Sequence, residues 1–266
     1  MAEAAAEQKQ YLQSLERGMA VIQVFSREHP ALTLSEVARL TGTTRATARR
    51  ILLTLEKLGH VRSDGRLFSL TPRVLSLGWA YLSSLNLWEI AQPLMEDLVQ
   101  KTKESCSAAT LDLPDIVYVA RVPTRRIMTI ALGVGTRLPA HATSMGRVLL
   151  AGLPDDELDQ FLTEATLERF TDRTVTDPEK LRAIVVQARQ QGWALNDQEL
   201  EIGLRSIAAP IEGADGRTIA ALNLSAAAPR VSIEELRQRF LPALIETAED
   251  ISKSLIRGAP PGGKRL

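Results

Sequence analysis

Apolar residues recur at helical spacing near the front of the chain. Leu15, Met19, Ile22 and Phe25, within residues 12–27, predict an amphipathic first helix that ends before His29-Pro30. Thr33 and Glu36 stand at the spacing of a reciprocal cap and open a short second helix through Val37, Ala38 and Leu40 to Gly42. Thr43 or Thr44 then caps a third helix, whose stripe of Ala48, Ile51, Leu52, Leu55 and Leu58 stops at Gly59. Two helices meeting at a tight glycine turn predict a helix-turn-helix. Residues 61–70 alternate apolar and polar side chains around Asp64-Gly65, which predicts a β-hairpin, and a hairpin directly after a helix-turn-helix is a wing.

The stripe of the third helix leaves Ala46, Arg49, Arg50, Leu53 and Lys57 facing outward, with Thr43, Thr44, Arg45 and Thr47 around its N-terminus. Hydroxyls and a helix N-terminus hold phosphates, and arginine reads guanine edges. A solvated charged face is the alternative for this helix taken alone. The wing favours double-stranded DNA as the partner, because Arg62 and Arg66 can neutralise phosphates beside the groove.

Behind the wing, Thr71-Pro72 opens a helix with a stripe of Val74, Leu77, Tyr81 and Leu85. Trp79 and Trp88 add apolar surface that favours pairing with a second copy. Asn86 and Glu89 open a further stretch, and Pro93 predicts a kink or restart. The texture then changes to short strands at 107–113, 116–122 and 127–132. A helix over 144–151 and helical segments over 154–163 and 177–190 follow, then strands near 193–197, 205–211 and 218–225, the last two joined through Asp215-Gly216. An amphipathic helix over 233–256 closes an α+β arrangement.

Composition narrows the class. The 266 residues suggest two domains, and 45% hydrophobic with 24% charged residues is ordinary for a globular protein. The net charge of zero conceals a split, since residues 1–80 carry 11 Lys+Arg against 7 Asp+Glu and the remainder 21 against 25. One cysteine, Cys106, forms no internal disulfide and is expected to be a buried apolar residue. His29, His60 and His141 lack metal-ligand spacing, so no metal is expected. The N-terminus lacks a secretory layout and no stretch approaches the roughly 18 apolar residues of a membrane span, so a cytoplasmic protein without membrane contact is expected. There is no Gly-x-Ser-x-Gly nucleophile elbow, and Leu138 replaces the third glycine of a dinucleotide loop after Gly133 and Gly135. No catalytic residue and no enzyme activity are expected.

Three stretches carry a resemblance to the IclR family of bacterial regulators: TLSEVARLTGTTRATARRILLTLEKLGHV, LPAHATSMGRVLLAGL, and GWALNDQELEIGLRSIAAPI with the following AALNLS. It covers roughly residues 11–256. Gly192, Glu199 and Ser206 fit the family's C-terminal signature, whereas Asn196, Glu212 and Gly213 depart from it. ARVPTRRIMTIALGVGTRLPAHATSMGRVLLA and DQELEIGLRSIA resemble the branch that regulates protocatechuate, p-hydroxybenzoate and β-ketoadipate metabolism.

The resemblance implies a GAF-like effector domain with a central antiparallel sheet flanked by helices, assembly as a homodimer or dimer of dimers, and no cofactor. The domains expected are an N-terminal arm (1–10), a winged helix-turn-helix (11–71), a linker helix (72–90), an effector domain (91–256) and a flexible tail (257–266). Operator DNA and a small carboxylic acid are the implied partners, RNA polymerase is a further candidate, and a glyoxylate- or pyruvate-like effector is the alternative. The implied ligand positions are Ser144, Met145, Asn196, Leu204, Ser206, Asn223 and Ser225. Their chemistry suits an acid, because most are neutral donors or acceptors and the helix start near Ser144 offers backbone amides. Arg121, Arg205 and His141 are the candidate charge partners. Arg121 could instead face outward, Arg205 could pair with Glu201, and His141 could satisfy backbone groups.

Overall fold

The computed structural model describes residues 11–85, 87–124 and 132–258. The expected arm at 1–10, most of the tail and the strand at 127–132 up to residue 131 lie outside the described residues. The chain divides into two units, Met1–Tyr81 and Leu82–Leu266, each with its own core.

In the first unit, α1 (Gln13–Gln23) precedes β1 (Leu32–Thr33), α2 (Leu34–Leu40), α3 (Arg45–Lys57), β2 (Val61–Ser63) and β3 (Leu67–Leu70). Thr33 and Glu36 form the expected reciprocal cap of α2, and Thr44 caps α3 by accepting from the Thr47 N–H at 3.2 Å. Val21, Val37, Ala48, Leu52, Leu55 and Val61 fill the core. Two apolar stripes differ from the sequence reading. Leu15 and Met19 are exposed, because α1 reaches the core through Val21 with Ile22 and Phe25, and the helix start projects past it. Leu58 is also exposed, because it is the residue at which α3 ends and Gly59, at φ +81°, turns the chain away. The three strands order β1-β3-β2, and the short β1 was not legible in the sequence. Thr71 caps a single 3-10 turn (Pro72–Val74) that leads into α4 (Leu75–Leu85).

In the second unit, α5 (Leu87–Thr102) continues through Pro93, so the helix does not restart there. Pro93 lies on the exposed side, and the buried series Leu87, Ala91, Met95 and Leu98 anchors the opposite one. That packing offsets the roughly 3 kcal/mol an interior proline costs. The sheet comprises β4 (Ser105–Asp112), β5 (Asp115–Val122), β6 (Arg137–Pro139), β7 (Ala194–Asp197), β8 (Leu204–Glu212) and β9 (Thr218–Ala227). Its order is β6-β5-β4-β9-β8-β7, antiparallel throughout.

Strand alternation separates two apolar faces. Ile207, Ala209, Leu222 and Leu224 point to one, which α5 and α10 (Leu241–Gly258) cover. Ala208 and Ala221 point to the other, which α6 (Ser144–Ala151), α7 (Asp155–Glu164) and α8 (Pro178–Gln191) cover. The single C-terminal helix expected over 233–256 is interrupted. A short α9 (Ile233–Glu235) and a π-helical turn (Leu236–Phe240) precede α10, with Leu236 and Phe240 buried.

Candidate functional site

In the first unit, the N-terminal turn of α3 is tied together by its threonines. Thr44 Oγ1 donates to Thr47 Oγ1 at 3.0 Å, and Thr41 and Thr43 share a hydrogen bond at 2.9 Å. The Thr44 hydroxyl is therefore part of the cap of α3 at the exposed N-terminal end of the helix. Arg45, Ala46, Arg49 and Arg50 are exposed along α3, and no ion pair among the described residues engages these arginines.

The wing is pinned by Asp64, whose Oδ1 accepts from Leu67 N at 2.7 Å and Arg66 N at 2.9 Å. These bonds hold the Asp64 carboxyl below the usual carboxylate range. Gly65 takes φ +96° at the tip, where a side chain would be strained. Arg62 Nε donates to Ser69 Oγ across the hairpin at 3.0 Å, and Arg66 extends from the tip. The unit presents a cationic helix and a cationic wing.

In the second unit, every residue of α6 is buried against the sheet. Close approach of its start to the preceding loop requires Gly146, where a Cβ would lie 2.0 Å from the Ala140 carbonyl oxygen. Thr143 caps the helix by accepting from Gly146 N at 3.0 Å. This leaves the first amides of α6 beside a cavity lined by Ser144, Asn196, Leu204, Ser206, Asn223 and Ser225. All six are ligand positions named from the sequence.

Register explains the convergence: Ser225, Ser206 and Asn196 stand opposite one another across β9, β8 and β7, so they share a face. Ser144 Oγ lies 2.9 Å from Ser206 Oγ, and Asn223 Nδ2 donates to Ser225 Oγ at 3.1 Å. Asn196 serves the cavity wall itself, donating to Ala142 O at 2.9 Å and accepting from Glu199 N at 3.4 Å.

Three positions named from the sequence do not face this cavity. Met145 is buried in the core between the sheet and α6–α8. Arg205 alternates with Ser206 and therefore points to the opposite side of β8. There its Nε donates to Asp197 at 2.5 Å and its Nη1 to Val231 O at 2.6 Å, so its acid partner is Asp197 and not Glu201. His141 Nε2 lies 3.0 Å from Glu168 O with its ring tilted over Phe170, and burial holds its pKa below the ordinary histidine value.

Arg121 is different. Strand β5 has a bulge opposite Ala108/Ala109, pairing Tyr118 with Ala109 and Arg121 with Ser107. Tyr118 and Arg121, three residues apart, consequently share the face of Ser107 and Asn223. Arg121 is not one of the lining residues; it stands half-buried on β5 three residues from Tyr118, with its pKa lowered by burial and raised in part by Tyr118.

The sequence reading missed Tyr118, Leu132, Leu138, Ala142, Thr143 and Leu200 in the lining. Burial pushes the Tyr118 phenol up to about 12, which keeps it protonated and able to donate. The free space enclosed is about 20 Å³, close to that of one water. No group of three or more metal-ligating side chains occurs among the described residues.

A winged helix-turn-helix in one unit and an α+β fold with a polar cavity in the other define a DNA-binding regulator with an effector domain. The chain matches the IclR helix-turn-helix domain over residues 14–65 and the bacterial transcriptional regulator IclR C-terminal domain over residues 79–253, and it belongs to the IclR family. It is 48% identical over 246 residues to the Pca regulon regulatory protein of Pseudomonas putida, covering 92% of this chain and 84% of that protein. It is 37% identical over 246 residues to the p-hydroxybenzoate hydroxylase transcriptional activator of Acinetobacter baylyi, covering 91% of each. An IclR homolog from Microbacterium hydrocarbonoxydans, solved in complex with 4-hydroxybenzoate, superposes with a TM-score of 0.82 at 27% identity, covering 92% of this chain and 100% of that one.

Proposed function

We propose that the chain regulates genes of aromatic-acid catabolism, and that a small carboxylic acid entering the cavity of the second unit alters operator binding or promoter activity. The observation that carries the reading is the hydroxyl- and amide-lined cavity at the start of α6. Its neutral donors and helix amides suit a carboxylate, and Tyr118 with Leu132, Leu138 and Leu200 suits a ring. The names of the two curated relatives and the ligand of the solved homolog support an aromatic acid. The candidate charge partner is Arg121, because the β5 bulge sets it on the same sheet face as Ser107 and Asn223.

DNA contacts fall to Thr43, Thr44, Arg45, Ala46, Thr47, Arg49 and Arg50 with Arg62 and Arg66, and the exposure of the arginines on α3 and the wing supports this set. Assembly as a homodimer or dimer of dimers is supported by the apolar residues exposed on α4, namely Leu75, Leu77, Trp79 and Tyr81. No described helix is long and apolar enough to cross a membrane, in keeping with a cytoplasmic regulator that works beside RNA polymerase. An enzyme is disfavoured because Ser144 bonds to Ser206 and His141 to a carbonyl, so the hydroxyl lacks an imidazole base.

The small enclosed volume favours one second reading, an effector of glyoxylate or pyruvate size that needs little displacement of the walls. Calorimetric titration discriminates. Saturable binding of protocatechuate or p-hydroxybenzoate is expected; binding of glyoxylate or pyruvate alone would replace the aromatic reading with the second one.

A further inference from the structure

Beneath the cavity wall lies an ion pair that the sequence reading did not single out. Arg147 follows Gly146 on α6, and Glu199 sits in the turn joining β7 to β8. Arg147 Nη1 donates to Glu199 Oε1 at 2.7 Å and Nη2 to Oε2 at 2.6 Å, with only 3% and 11% of the two side chains exposed. The remaining bonds of the pair knit four segments together. Arg147 Nη1 also donates to Leu195 O at 3.1 Å and Nε to His141 O at 3.3 Å. Glu199 Oε2 accepts from Val175 N at 3.1 Å, and Thr174 Oγ1 donates to Glu199 O at 2.6 Å.

We infer that Arg147 and Glu199 are positioning residues for effector recognition, holding the β7–β8 turn at the depth at which Asn196 and Leu200 line the cavity. Three observations lead there. The turn is irregular backbone, with Gln198 and Gly203 both at positive φ; backbone bonds from Gln198 N to Leu204 O and from Ala228 N to Gly203 O close its base, and its outer part at Glu199 is held by side-chain tethers from other segments. Asn196 and Leu200 lie on either side of Glu199 and both line the cavity. The guanidinium fork is consumed by Glu199 and two carbonyls, so Arg147 is not the acid's counter-charge, and the pair contributes geometry. A well-packed neutral replacement of a buried pair is often tolerated by the fold, which makes a positional role separable from a stabilising one.

The inference rests on the acid-binding reading of the cavity, and the experiment keeps the two apart. Arg147→Met combined with Glu199→Gln removes both charges while Gln can still accept from Val175 N–H, and Arg147→Lys keeps the charge without the fork. Two quantities are measured on the full chain: amide hydrogen exchange of residues 196–204 without ligand, and affinity for protocatechuate and p-hydroxybenzoate. In both variants exchange is expected to quicken about tenfold in that segment alone, with affinity for the acid falling about tenfold and the unfolding temperature nearly kept. Unchanged exchange, or exchange raised throughout the unit with a lowered unfolding temperature, overturns the positioning role. Quickened exchange in the segment supports the tether even if the wild-type chain binds neither acid, an outcome that overturns only the aromatic-acid reading.

Discussion

Ser144 and Ser206, 62 positions apart in the chain, meet at 2.9 Å where the first turn of α6 crosses β8. Two hydroxyls in contact share one proton between them, which leaves the second free to donate into the cavity. Ser206→Ala removes the hydroxyl on β8 without opening the core, because a methyl side chain remains. Calorimetry should show affinity for the best acid lowered about tenfold, the loss of one hydrogen bond to a charged group, with the fold retained. Unaltered affinity would move the binding site away from β8.

On α3, Arg49 and Arg50 are exposed and their loss removes no core contact. Arg49→Ala or Arg50→Ala should weaken binding to a palindromic promoter fragment by about 1–3 kcal/mol if the side chain reads a base. If it meets only a phosphate, the salt dependence of log affinity should become shallower by about one unit. Gel shifts across a salt series separate these outcomes, and unchanged binding in both variants would exclude α3 as the recognition helix.

Arg205 joins β8 to Asp197 and to the Val231 carbonyl. Partial burial pushes the Asp197 carboxyl up, but the Arg205 hydrogen bond and charge outweigh it and hold the group below its ordinary value. Arg205→Ala should therefore destabilise the second unit by about 2 kcal/mol in urea unfolding and leave acid affinity unchanged. Reduced affinity with unchanged stability would return Arg205 to the ligand site.

His141 is buried, and its pKa lies below the value of about 6.5 that it has in an unfolded chain. The unfolded state takes up the proton first as pH falls, so the stability from keeping His141 neutral is full above that pH. It is lost as pH drops through the lowered native value. Thermal unfolding between about pH 7.5 and 5 should show a decline in the wild type that His141→Gln blunts. Parallel profiles would show that this histidine does not govern the acid limb.

The winged helix-turn-helix was legible because its signals are local: caps at Thr33 and Thr44, one apolar stripe, one Asp-Gly turn. The cavity was legible through family resemblance and through the period-two alternation that aligns Ser206, Asn223 and Ser225 on one face. The same alternation, applied to Arg205, would have excluded it once Ser206 was assigned inward. Arg121 and Tyr118 could not be read this way, because the β5 bulge resets the alternation between them and depends on pairing with a partner strand. Leu200 and the Arg147–Glu199 pair arise from tertiary contacts between segments about fifty residues apart, which no local pattern encodes. The helix continues through Pro93 for a related reason: the local cost of the proline is outweighed by a buried face that only the folded unit supplies.

On the proposed function, an aromatic acid bound in the second unit controls what the chain does at a promoter. In vitro transcription with the purified chain, RNA polymerase and the promoter it binds tests this most directly. Saturating protocatechuate or p-hydroxybenzoate should change transcript output about fivefold or more, and Ser206→Ala should need about tenfold more acid for half of that response while still binding DNA. Identical output with and without either acid, from protein that binds the promoter, would contradict the account.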